Sequence, residues 1–185
     1  MKPLAKAAVV ALLQILIVSS LGAKLLYDRR TCPQAWFFTQ RYDPNLPIRG
    51  RYVSLQITVN GPHSNEEISK QALSQLQTGV LNGFQQWCGS IVLRNGTPTA
   101  EFDSSPMWHC DNLTFVLWPG NGAAQLRLSQ PILFFIPDTA KDPTVLSRGD
   151  ELWVLATIPR KGPPRPIELG VKRAGETEIR GLDLN

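Results

Sequence analysis

The sequence predicts a mainly β protein, in which a sandwich or barrel-like antiparallel domain with one amphipathic helix follows a single N-terminal transmembrane helix. Three observations support this fold class. Residues 7–23 form an uncharged apolar run, short runs of alternating hydrophobicity fill most of the chain after Arg30, and residues 64–83 interrupt them with helical spacing. We therefore expect a membrane segment over residues 1–30 and one β-rich domain over residues 31–185.

The apolar run AAVVALLQILIVSSLGA, residues 7–23, is nearly long enough to cross a bilayer. At about 1.5 Å per residue it reaches roughly 25 Å, and with Lys24 snorkelling the span extends through Tyr27 to roughly 31 Å. The hydrocarbon core of a bilayer is about 30 Å thick. Lys2 and Lys6 precede the run, as in export signals, and Tyr27 lies where an interfacial aromatic is expected.

Two alternatives compete with a retained anchor. A cleaved signal peptide would use Ser20 and Gly22 at the −3 and −1 positions and break before Ala23, but no A-x-A run is present. A buried core helix would need to be covered on every face. We therefore expect a retained anchor, whose orientation does not follow from charge because the positive groups on its two sides nearly cancel.

The cysteines leave two alternatives open. Cys88 and Cys110 occur in similar settings beside Trp87 and Trp108, and a disulfide between them would indicate an oxidising compartment. Cys32 would then be unpaired near the membrane. The other alternative is that all three are inert buried thiols.

After Arg30 the sequence consists of short strands joined by turns. Residues 52–59 alternate, which predicts a half-buried strand with Leu55 and Ile57 on the core face. The dipeptide Asn95-Gly96 favours the type I′ turn of a tight hairpin. The other predicted strands are residues 34–38, 87–94, 97–103, 113–118, 124–128, 132–136, 152–158, 167–172 and 177–182.

One segment departs from the β pattern. In residues 64–83, Ser64 and Glu67 have the spacing of a capping box, and the apolar residues from Ile68 to Leu81 form one helical stripe. We expect an amphipathic helix that packs on the sheet, although a helix that binds a partner would show the same stripe.

The charges argue against a nucleic-acid partner. The net charge is +4, but Lys2, Lys6 and Lys24 flank the apolar run, and removing them from the 19 basic residues leaves 16 against 15 acidic residues. A nearly neutral domain lacks the basic surface that a polyanion requires.

The sequence contains no recognisable catalytic, metal or cofactor signature. His63 and His109 are the histidines available for acid–base chemistry at neutral pH. His109, Cys110 and Asp111 have the residue types of a catalytic triad, but neighbours on a strand point to opposite faces. We therefore predict a protein that is not an enzyme, has no cofactor and contains no catalytic or metal site.

Residues 46–57 (LPIRGRYVSLQI) resemble the motif that names the GDYXXLXY family of bacterial membrane-anchored proteins, in which a P-L-R-G-D-Y-V-x-L-x-Y run follows an N-terminal transmembrane helix and a short strand. The matching positions are Gly50, Tyr52 and Leu55. Arg51 replaces the Asp of the motif, and Ile57 replaces its final Tyr. Residues 135–138 (FIPD) are similar to a second family segment, Y-F-V-P-E, whereas residues 63–108 look like an expanded insert.

The resemblance implies an accessory or interaction domain of a membrane complex, held by its helix in the lipid bilayer beside a multi-spanning membrane protein. It also implies a single-pass protein of the bacterial inner membrane with a periplasmic C-terminal domain. Arg51 inverts the charge of the motif position.

Two alternatives stay open: an exported protein that binds a small ligand, suggested by five tryptophans, and an extracytoplasmic hydrolase acting through His109 and Asp111.

Overall fold

A computed structural model describes residues 3–41, 52–61, 74, 86–103, 110, 112–118 and 125–184. The chain divides into two compact units, Met1–Cys32 and Pro33–Asn185. The predicted amphipathic helix over residues 64–83 lies outside the described residues, apart from Ser74, which is helical.

The first unit is a single α-helix, α1, over Pro3–Thr31. Its 29 residues correspond to a length of about 43 Å. Between Lys6 and Thr31 it is long and apolar enough to cross a membrane, as the sequence predicted. Arg29 and Arg30 lie in its last turn, where positive charge is favourable at the negative end of the helix dipole.

The described part of the second unit contains ten strands in one curled antiparallel sheet, so the mainly β prediction is confirmed in its barrel-like form. The sheet order is β10-β9-β8-β1-β2-β6-β5-β3-β4, with β7 also paired to β2. The strands are β1 (Gln34–Arg41), β2 (Tyr52–Val59), β3 (Gln86–Arg94), β4 (Thr97–Phe102), β5 (Leu113–Trp118), β6 (Gln125–Leu128), β7 (Ile132–Phe135), β8 (Glu151–Thr157), β9 (Arg165–Lys172) and β10 (Arg180–Gly181).

The curl of the sheet brings β4 back to the end of β2. Asn60, the residue after β2, forms a parallel bridge with Thr99 of β4. The Asn60 amide donates to the Pro98 carbonyl at 3.3 Å, and the Ala100 amide donates to the Asn60 carbonyl at 3.2 Å. These bonds hold the curved sheet as a half-barrel.

The predicted turn between β3 and β4 has the backbone φ angles that its two central residues favour. Asn95 and Gly96 have φ values of 50° and 78°. A type I′ turn requires a positive φ at both central residues, which asparagine and glycine adopt more readily than other residues. Local sequence therefore specifies this hairpin. At the other end of the chain, the strand predicted over residues 177–182 was too long. Arg180 and Gly181 pair with β9, and one further hydrogen bond follows, from the Leu182 amide to the Leu169 carbonyl at 2.8 Å.

The core lies on the inner face of the curled sheet. Its largest fully buried apolar side chains are Phe37, Leu55, Ile57, Phe115, Leu126, Val154 and Leu169. An aromatic series extends it, since Trp87 stacks on Phe102 at 5.6 Å between ring centroids and Phe102 lies 5.8 Å from Phe115.

Strand β2 is more buried than its alternation predicted. It has β1 on one side and both β6 and β7 on the other, which makes it a central strand. Ser54 and Gln56, on the face opposite Leu55, are only 8% and 6% exposed. The Gln56 side-chain amide donates to the Leu128 carbonyl, so this buried polar group is satisfied. The prediction of a half-buried strand was wrong on this face.

Candidate functional site

Aromatic side chains meet on the outer face of β1 and β8. Phe38 is paired with Trp153 across these strands, and Trp36 is paired with Leu155. Their neighbours Ala35, Phe37 and Val154 are buried in the core, so alternation turns these four side chains the other way. The rings of Phe38 and Trp153 are in edge contact at 5.7 Å between centroids.

The Trp36 indole lies directly on the backbone of β9. A Cβ atom added at Gly170 would lie 2.8 Å from two Trp36 ring atoms and 2.7 Å from Cγ2 of Ile179. Only a residue without a side chain leaves room for the ring at this point. Gly170 therefore sets the position of Trp36 on the outer face.

These side chains line an open groove of about 770 Å³, which we call the aromatic groove. Trp36, Phe38, Trp153 and Leu155 contribute its apolar wall, and the turn of the β3–β4 hairpin, from Gly96 to Pro98, also lines it. The volume is within the range of about 300–1,000 Å³ that is common for ligand-binding pockets. Half-buried aromatic rings in a groove of this size can bind an apolar segment or a planar ligand face.

Polar groups flank the aromatic groove. Trp153 Nε1 donates to the Glu151 carboxylate at 3.2 Å, and Lys172 Nζ lies 3.5 Å from that carboxylate and 5.9 Å from the centre of the Trp153 ring. These contacts orient the Trp153 indole. Thr58, which also lines the groove, has a buried Oγ1 with no hydrogen bond to any described residue.

A buried arginine lies on the same face as Thr58. Arg127 of β6 is paired with Thr58 and is 8% exposed. Its guanidinium donates to the side-chain oxygens of Gln40 at 2.6 Å and Gln125 at 2.7 Å. Burial lowers the pKa of Arg127. The amides replace part of the hydration that the guanidinium loses. The bond to Gln40 connects β6 to β1 across β2, beside the groove.

The motif residues that the structure describes, Tyr52, Leu55 and Ile57, do not share one face of β2. Gly50 and Arg51 lie outside the described residues. Leu55 and Ile57 are fully buried in the core, where they have a packing role. Tyr52 lies on the opposite face and contacts the ring of Phe135, with 6.2 Å between centroids.

Cys88 and Cys110 are joined by a disulfide, with their Cα atoms 5.5 Å apart. The bond ties β3 to the segment that leads into β5. Cys32 is not part of a disulfide. His63, His109 and Asp111 lie outside the described residues, so the proposed pairing of His109 with Asp111 stays a prediction.

No family model, curated protein or solved structure matches this chain. The aromatic groove is therefore interpreted from its own geometry. The sequence connected its five tryptophans with the binding of a small ligand, but it did not predict which of them would meet. A signal was present in β1, where Trp36 and Phe38 occupy the alternate positions to the buried Ala35 and Phe37.

Substitution of Gly170 by alanine is expected to displace Trp36 and to lower the free energy of unfolding by about 1–3 kcal/mol, the usual cost of overpacking. Urea unfolding followed by tryptophan fluorescence measures the change. In a double-mutant cycle with Trp36→Ala, the cost of Gly170→Ala should fall by at least about 0.5 kcal/mol, because the ring is gone. Strict additivity of the two substitutions would contradict the contact.

Proposed function

We propose that this chain is a non-catalytic, membrane-anchored binding protein that acts as an accessory subunit of a membrane complex in bacteria. Helix α1 anchors it in the inner membrane as a single span. The β domain is periplasmic and uses the aromatic groove to bind an exposed apolar segment of a partner, for which a multi-spanning membrane protein is the best candidate. The observation that carries this proposal is the groove, with Trp36, Phe38 and Trp153 half-buried on the outer face of the sheet.

Two features support the location. The helix is long and apolar enough to cross a membrane, and its described side chains in the apolar window are not buried. The Cys88–Cys110 disulfide is the kind of bond that persists in the periplasm and is rare in the cytoplasm. The order of an apolar helix, a short strand and then β2 is also that of the GDYXXLXY family, to which we propose that this chain is related.

The chemistry of the groove supports protein binding. Tryptophan combines a large apolar area with a polar N–H, which is why it is enriched in the energetic centres of protein interfaces. Trp153 is held by Glu151 and Lys172, and Trp36 is held by its contact with Gly170. Rings that are already fixed lose little conformational entropy on binding.

Crosslinking in native membranes tests the proposal. The unchanged chain should give a reproducible crosslinked partner, and Trp36→Ala with Trp153→Ala should reduce the yield at least tenfold, since interface tryptophans commonly contribute about 2 kcal/mol or more each. Leu133→Ala with Phe135→Ala is the matched control, because both side chains are exposed and apolar but neither lines the groove. Recovery of the monomer alone, or equal loss in both variants, would argue against the groove as a binding site.

A second candidate function is binding of a small ligand, which is favoured by the volume of the open groove and by the Thr58 hydroxyl, for which no described residue is a hydrogen-bond partner. A ligand that enters the groove would contact Trp36 and Trp153. It should therefore change the intrinsic fluorescence of the purified chain, and this change should disappear in Trp36→Ala. A hydrolase acting through His109 and Asp111 is the third alternative, and both of these residues lie outside the described part of the chain.

A further inference from the structure

A polar side chain lies near the middle of the apolar helix. Gln14 is near the centre of the run over residues 7–23, and its side chain is exposed and makes no hydrogen bond to any described residue. Ser20, in the same helix, satisfies its hydroxyl by donating to the Ile17 carbonyl at 2.8 Å. A carboxamide cannot be hydrated in hydrocarbon, so an anchor helix gains free energy if Gln14 finds a partner in another helix.

The apolar run is apolar on every side of α1, and Gln14 marks one face of it, made of residues at the spacing of a helix–helix contact. They recur at alternating intervals of four and three, which is the heptad pattern of left-handed helix pairs and keeps them on one face of α1. The stripe consists of Ala7, Ala11, Gln14, Val18, Leu21, Leu25, Asp28 and Cys32. Within the apolar span its large members are exposed, from 44% at Leu25 to 71% at Val18.

The binding partner that best fits this face of α1 is a second copy of the chain. A carboxamide carries both a donor and an acceptor, so two glutamines related by a two-fold axis can exchange two hydrogen bonds. A second copy inserted in the same direction places its own Gln14 at the same depth. We propose that α1 forms a parallel homodimer through this stripe, with the two Gln14 amides hydrogen-bonded to each other; this proposal rests on the membrane anchoring proposed above.

Cys32 provides an internal reporter of the geometry. It lies 18 residues after Gln14, which is five turns at 3.6 residues per turn, and therefore on the same face. The Cys32 amide donates to the Asp28 carbonyl at 2.9 Å, so the helical turn continues to this residue. In the proposed dimer the two Cys32 side chains face each other at the end of the span.

The test uses the full chain in vesicles of phosphatidylethanolamine and phosphatidylglycerol. Copper phenanthroline in air oxidises two facing Cys32 thiols to a disulfide: two protons are released, and copper passes the two electrons to oxygen. Energy transfer between separately labelled copies, measured over a series of protein-to-lipid ratios, gives the dimerisation constant. Carbonate extraction independently measures whether the chain is inserted.

Gln14→Leu should weaken dimerisation roughly five- to thirty-fold, the effect of losing interhelical hydrogen bonds of about 1–2 kcal/mol. Gln14→Asn, which keeps a carboxamide, should retain the dimer. The matched control is Gln14→Leu with Leu16→Gln, which preserves composition and turns the amide about 200° around the helix. This variant should still show energy transfer but lose Cys32 crosslinking.

The outcomes separate this inference from the proposed function. A chain that carbonate extracts is not anchored, and both proposals then fail. If the chain is inserted but monomeric, or if the Gln14→Leu variant dimerises as well as the unchanged chain, only the homodimer proposal fails. Crosslinking that is unchanged when the amide is moved to position 16 would show that Gln14 does not set the interface.

Discussion

Replacement of Phe115 by alanine is expected to lower the free energy of unfolding by about 3–5 kcal/mol, the largest effect that we predict for a single core substitution. Phe115 lies on β5 and is completely buried. Its ring is 5.8 Å from that of Phe102, which in turn stacks on Trp87. Loss of the ring removes apolar burial and leaves a cavity that the surrounding strands can fill only in part.

Equilibrium unfolding of the full chain in urea, followed by tryptophan fluorescence and far-ultraviolet circular dichroism, measures the change. Phe135→Ala is the matched control, because the same side chain is removed from a position that is 73% exposed. Its contact with Tyr52 should make the cost no more than about 1 kcal/mol. Equal losses for the two variants would contradict the placement of the core on the inner face of the sheet.

Removal of the disulfide, by Cys88→Ala with Cys110→Ala, is expected to lower the free energy of unfolding by about 3 kcal/mol. The two cysteines are 22 positions apart. The bond therefore closes a loop of moderate length and reduces the conformational entropy of the unfolded chain. It also joins β3 to the segment before β5, two neighbouring strands of the sheet.

Cys32→Ala is the control for removal of a cysteine, and it should change the free energy of unfolding by less than about 0.5 kcal/mol. A reducing agent should destabilise the unchanged protein and the Cys32→Ala variant, but it should have no effect on the double variant. If reduction leaves the stability of the unchanged protein the same, the disulfide does not constrain the unfolded chain as proposed.

Local patterns in the sequence predicted most of the secondary structure. The bounds of β2 and β5 match the predicted ranges, and the Asn95-Gly96 hairpin follows from residues that tolerate a positive φ. These features depend on neighbours in sequence, whose preferences act within a few residues. The short β10 shows the limit of this reasoning, because alternation continues beyond the point at which a neighbouring strand is available for pairing.

The candidate site was much less predictable. Family resemblance directed attention to Leu55 and Ile57, which the structure buries in the core, whereas the aromatic groove combines Trp36 and Trp153 from strands far apart in the sequence. Alternation shows that Trp36 and Phe37 face opposite ways, but it does not show which face is covered. The similar settings of Cys88 and Cys110 suggested their pairing, although the sequence left free thiols as an equal alternative.

The sequence by itself determined the apolar helix, the turn chemistry and the alternation of the strands, because these depend on hydrophobicity and on the φ preferences of single residues. Only the tertiary structure decided the strand order, the burial of both faces of β2 and the meeting of β1 with β8. Pairing over long separations in sequence depends on how all the apolar faces are buried together. The aromatic groove is a product of that pairing: its two tryptophans become neighbours because β1 pairs directly with β8.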